Sequence, residues 1–418
     1  MRTTKIAVSA ALAALLAVSS ACGADNGSDE NPGASASASL PSGTPADETK
    51  TPVEVGFHNL EGGSISLPDV RLGFEAGVKY VNERLGGING SPLDAITCKT
   101  DGTPESSVNC ANQFVEEKAV LAVQGADFGA DAMLPVLKSA RLAEFGGFPL
   151  TPGVNAAVGD AYFFQYSAEE GYAANLVQLQ ELDAKKIAVV LVDAPTSHET
   201  YDSIIEPAAE KLGLETKVFY VPAQSDWTVL SASILAWSPD AIATYVAAEA
   251  LAAVPALRSS GFSGYISAGS NTEIIPQLDA SVLEKTLFIA PYYLPEFADI
   301  PEEVQPDVDA FNAYATKGMD ESSSTTQRLI GFYTALTTAQ VLSDLGSKGK
   351  LTAQSVHAGL ATSKGEREPF RTNGWDCTTP SWPGTTACGT GTIFAEPNDE
   401  GVLVPLPDQP VDISAVLP

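Results

Sequence analysis

Lys186-Ile-Ala-Val-Val-Leu-Val192 decides how this chain is read. After the leading lysine, both faces of an extended segment carry apolar side chains. Such a segment fits a strand covered on both sides, as in a parallel sheet flanked by helices. The residues that follow keep the pattern. A helix is predicted over 198–212, closed by Gly213. Strands are predicted over 216–221, 241–246 and 265–268. Between them Asp226 caps a helix over 227–237, and a second helix over 249–259 ends at Gly261. Strands separated by helices of this length imply right-handed crossovers.

The same alternation runs earlier in the chain. Val53-Glu-Val-Gly-Phe-His58 alternates apolar and polar residues as a strand does. Pro68 opens a helix with Phe74, Val78, Val81 and Leu85 at helical spacing, stopped by Gly86-Gly87. A strand over 93–97 follows, then a helix begun by Thr103-Pro104 that buries Val108, Ala111, Phe114 and Val115. Residues 119–123 form an all-apolar strand, and 142–145 and 162–164 read as short strands. Two such runs imply an α/β protein of two doubly wound parallel-sheet lobes. A body this long also exceeds what one hydrophobic core usually supports. Later helices are predicted over 302–316, 325–345 and 353–362, and the stretch from Phe370 reads as irregular or short-stranded.

The N-terminus has a different character. Arg2 and Lys5 precede an apolar run over 6–18, broken only by Ser9, and small residues then lead to Cys22. This is the layout of an export signal, expected over 1–21, and the run is short for a bilayer span. Val18-Ser19-Ser20-Ala21-Cys22 resembles the bacterial lipoprotein cleavage site, although Ser19 stands where an aliphatic residue is usual. The resemblance implies cleavage before Cys22 and a lipid on its sulfur, which would hold the protein on the outer face of the cytoplasmic membrane. Residues 22–52 hold no aromatic side chain and read as a flexible tether.

Composition removes several function classes. A net charge of −29, which becomes −31 once Arg2 and Lys5 leave with the signal, argues against nucleic-acid binding. The four cysteines besides Cys22 fall into local pairs, Cys98 with Cys110 and Cys377 with Cys388. Disulfides suit an exported chain, but four cysteines allow three pairings, so the local one is a preference. No pair has the spacing of a zinc knuckle and the three histidines are scattered, so no metal and no cofactor is expected. No Gly-x-Ser-x-Gly elbow, dinucleotide fingerprint or phosphate-binding loop is present, and no enzyme activity is expected.

Val81-Asn82-Glu83-Arg84-Leu85-Gly86-Gly87-Ile88-Asn89-Gly90-Ser91-Pro92-Leu93 resembles a segment after the first helix of the branched-chain amino-acid-binding, leucine-binding-like family of type I periplasmic solute-binding proteins of ABC transporters. Asp101, Gly125, the Asp226 helix leading to Pro239-Asp240-Ala241, Ser259-Ser260-Gly261-Phe262, and the segment from Ile289 to Glu296 fall in the family's order. The resemblance implies two lobes joined by a multi-crossing hinge, closing on a small polar ligand that passes to an ABC permease. The lobes are then expected to be discontinuous, 53–166 with 292–372 and 167–291 with 373–418, and the protein monomeric.

In open α/β sheets, ligands sit beyond the carboxyl ends of the strands. That rule nominates Asn59, Ala126, Asp127, Phe128, Gly147 and Phe148 in the first lobe. In the second it nominates Ser197, His198, Ala248, Glu249, Ser270 and Asn271. Gly125-Ala-Asp-Phe-Gly129 precedes a helix, so its N–H groups suit a ligand carboxylate. Family members carry hydroxyls in the next loop, whereas this chain reads Gly146-Gly147-Phe148. The expected ligand is an amino acid, an amide or another small carboxylate. A sensor that presents its closed form to a signalling receptor is the alternative, with an exported hydrolase behind it.

Overall fold

The computed structural model describes residues 43–222, 225–246, 249–320 and 323–418. The signal segment, Cys22, Ala248 and most of the tether lie outside them.

Five strands build the first sheet: β1 (Val53–Leu60), β2 (Leu93–Thr100), β3 (Ala122–Ala126), β4 (Glu144–Gly146) and β5 (Ala161–Phe163). They lie in the order β2-β1-β3-β4-β5, all parallel. The second sheet opens with β6 (Lys186–Val192), β7 (Glu215–Val221), β8 (Ala241–Tyr245), β9 (Tyr265–Ser267) and β10 (Thr286–Ala290). Its parallel part runs β10-β9-β8-β6-β7, the same winding as the first. The two lobes are therefore topological repeats. In each, the order reverses between the first and third strands, and a crevice opens beyond their carboxyl ends.

Three sequence expectations change. Strand β3 starts three residues later than expected, at Ala122, after Val120 and Leu121 have already bonded to Glu54 and Gly56 of β1. The C-terminal stretch, by contrast, forms short strands as expected. A two-residue ladder joins β11 (Lys364–Gly365) to β12 (Trp375–Asp376), and β13 (Ile393–Pro397) and β14 (Leu403–Pro405) extend the second sheet antiparallel from β10. Residues 373–391 were expected in the second lobe, yet Phe163 pairs with Ala387, and the Cys388 N–H bonds to the Phe163 carbonyl at 2.6 Å. This part of the chain thus edges the first sheet before crossing. The tether also ends early: Thr44 bridges Leu85, and the Ala46 N–H reaches the Asn82 carbonyl at 2.7 Å. Both disulfides form locally, Cys98–Cys110 and Cys377–Cys388.

The first lobe is held by the helix Pro68–Arg84 against the long helix Thr325–Lys348. Glycines let the two backbones touch. A Cβ on Gly73 would overlap the Arg328 carbonyl, and one on Gly331 the Val70 carbonyl. Buried Asp69 closes one end, accepting from Arg328 Nε at 2.6 Å and from the Ser324 N–H at 2.8 Å. Phe57, Phe74 and Phe332 fill the space beneath.

Gly331→Ala is expected to cost about 1–3 kcal/mol in urea unfolding, because the helices must move apart. Gly349→Ala, at a position with nothing within 4 Å of the new methyl, is expected to be neutral or slightly stabilising.

Candidate functional site: the crevice and its hinge

The chain leaves the first sheet from the carboxyl end of β5, and it leaves the second from the carboxyl end of β10. Both carboxyl edges therefore border the connections between lobes. Three segments make those connections: Phe164–Ser167 after β5, Pro291–Leu294 after β10, and Gly389–Thr392 leading into β13.

The first-lobe edge rests on a buried polar network. His58, Asp127 and Glu144 are each fully buried. His58 Nδ1 lies 3.2 Å from Asp127 Oδ2, and Nε2 lies 2.7 Å from Glu144 Oε1. Asp127 also accepts from Ser107 Oγ at 2.7 Å and from the Gly129 N–H at 2.9 Å. Its carboxylate thus faces inward and fixes the turn that carries Phe128, which stays 51% exposed on the edge. Asn59 is buried too, and its amide donates to the Leu67 carbonyl at 2.9 Å. Ala126 is the buried end of β3. A Cβ on Gly147 would press on the Gln165 amide, while Phe148 meets Tyr166 edge-on at 6.2 Å.

Burial alone would lower the His58 pKa. The Glu144 charge and the bonds to both carboxyls overrule it and hold the imidazole up at about 10. Asp127 is pulled below its usual range despite burial, chiefly by His58.

On the second-lobe edge, His198 stacks on Tyr220 with centroids 3.7 Å apart and bonds Asp193 at 2.9 Å. Ser197 lies in the same short helix, Pro195–Thr200. Glu249 accepts the Trp227 indole N–H at 2.7 Å, so it ties two helix starts together. Ser270 and Asn271 follow β9, and the Asn271 amide donates back to the Ala268 carbonyl at 2.6 Å. Sequence reasoning thus found the loops. Several of the polar side chains it named are committed to holding those loops.

A model of the family described as periplasmic binding protein matches residues 57–381. The chain belongs to that family. Similar solved structures include an extracellular ligand-binding receptor from Verminephrobacter eiseniae, 15% identical with a TM-score of 0.65, covering 84% of this chain and 99% of that one. The branched-chain amino acid transporter substrate-binding protein of Streptococcus pneumoniae, solved with isoleucine, is 16% identical with a TM-score of 0.58, covering 84% and 98%. A fatty acid ABC transporter substrate-binding protein from Thermomonospora curvata is 13% identical with a TM-score of 0.62, covering 90% and 96%. No curated relative matches in sequence.

In this periplasmic binding protein the three connections meet at one buried cluster that sequence reasoning missed. Arg371 is fully buried. It donates to the Pro291 carbonyl at 2.7 Å in one connection and to the Thr390 and Gly391 carbonyls in another. Glu170 accepts the Gly391 N–H. Tyr333 Oη lies 3.0 Å from both the Phe164 carbonyl of the remaining connection and Glu368 Oε2. Glu368 in turn sits 3.6 Å from Arg371. Burial pushes the Glu368 carboxyl up to about 8, against the pull of Arg371. The only hint in the sequence was Glu366-Arg-Glu-Pro-Phe-Arg371, a charged run that resembles a solvated loop.

A carboxyl whose folded pKa lies above its unfolded value favours folding most below the lower value. Its contribution fades as pH rises through the upper one. For Glu368 the window runs from 4.5 to about 8. Urea midpoints of the wild type should therefore fall across that window. Glu368→Gln should flatten that part of the curve; equal slopes would show that Glu368 does not titrate in the folded hinge.

Proposed function

We propose that this chain is the extracytoplasmic solute-binding component of an ABC importer, tethered through lipid on Cys22. In this reading it captures a small amino acid, amide or other carboxylate between the two carboxyl edges and delivers it to a membrane permease. It does no chemistry on the ligand and works as a monomer. The observation that carries the reading is the repeated winding, with both crevices bordering a single hinge. Two like sheets joined there can turn as rigid bodies, and a ligand touching both edges stabilises the closed arrangement. Family membership supports binding over catalysis, and the amino acid and fatty acid transporters among similar folds support transport. Loop residues proposed to meet the ligand are Phe128, Gly147 and Phe148 on one side, with Ser197, His198, Ser270 and Asn271 on the other. Asn59, Asp127 and Glu249 act behind them, and Ala126 and Ala248 contribute backbone.

X-ray scattering of the mature chain should show a smaller radius of gyration with one class of solute from a panel of amino acids, amides and carboxylates. Curves unchanged across the panel would remove the clamshell mechanism. Cys22→Ala should move the protein from the membrane fraction to the soluble one and abolish incorporation of labelled fatty acid. Retention at the membrane by the variant would rule out the lipid anchor.

A further inference from the structure

Resting on that reading of the crevice, we propose that its ligand is a small monocarboxylate with an apolar body and no α-ammonium group, such as a branched acyl or arylalkyl acid. What the two carboxyl edges leave uncommitted points to such a molecule.

A ligand ammonium taken out of water needs a carboxylate that is itself shielded and not already saturated with donors. Three shielded acids on these edges are already occupied. Glu61 holds Arg71 at 2.8 Å and Lys99 at 3.1 Å. Asp127 holds His58, Ser107 and the Gly129 N–H. Glu249 holds the Trp227 indole. Glu273 makes no side-chain bond among the described residues, but it is exposed, where water competes for any partner.

The uncommitted surface is apolar. Ile65 follows β1, Phe128 follows β3 and Leu150 follows β4, on three adjacent strands, with exposures of 50%, 51% and 36%. Phe128 packs its base over Gly102, and a Cβ there would stand 4.0 Å from it, so its ring projects from a fixed stem. The Asp127 network beneath locks that stem, so little side-chain and loop entropy remains to be lost on binding. Across the crevice, Ser197 and Ser270 have hydroxyls with no hydrogen bond among the described residues. Neutral donors of this kind suit a carboxylate head group, and a preformed apolar wall suits a hydrocarbon body.

Matched pairs isolate the ammonium. Calorimetry on the mature chain would compare 4-methylpentanoate with leucine, and 3-phenylpropanoate with phenylalanine. Each des-amino acid is expected to bind at least about 10-fold more tightly than its amino acid. Phe128→Ala should weaken binding of the acids about 10- to 100-fold, from the apolar area lost. Its thermal midpoint should stay near wild type, since half the ring already faces solvent. Amino acids binding as tightly as their partners, or tighter, would overturn the proposal and leave the solute-binding reading standing. Binding of none of the four would also overturn it. Only the scattering panel, if it too stayed flat, would take the solute-binding reading down with it.

Discussion

One buried guanidinium holds the connections of this protein together. Arg371 donates to backbone carbonyls on two of the three interlobe segments, and its partner acids reach the rest of the cluster. Without those bonds the carbonyls would be buried polar groups with no donor. A guanidinium suits the task because its planar fork offers five donors and keeps its charge at any relevant pH. Glu170 accepts the Gly391 N–H, Glu368 lies 3.6 Å from Arg371, and Tyr333 carries the network to the third connection.

Rigidity of each lobe has a separate source. In the first lobe, Gly73 and Gly331 allow helix backbones to meet closely, and Asp69 with Arg328 pins their ends. The His58 network does the same for the crevice loop. Two carboxyls around one imidazole, all out of water, would be costly without a proton on the ring, and both carboxyls act to hold the His58 pKa up. The charge is not presented to a ligand. It fixes the turn that presents Phe128.

Much of the fold was legible because period and punctuation agree. The apolar run at 186–192 became β6 with the bounds expected, and Gly213, Asp226 and Gly261 stopped or started helices where predicted. Boundaries drifted where tertiary pairing chose the register, as at β3. The C-terminal stretch was legible as short-stranded, but not where β13 and β14 would pair, because they lie among Gly, Pro and Asp and β10, the partner of β13, is distant in sequence.

The site was legible at the level of loops and not of side chains, for a physical reason. Strand order says which loops gather at an edge. It does not say whether an acid there faces the crevice or the core. Asp127 illustrates the difference. In sequence it stands in a glycine-flanked turn before a helix, an ordinary place for a ligand contact. Its destination was decided by His58, 69 residues earlier, and Ser107, 20 residues earlier, neither of which declares itself in the sequence.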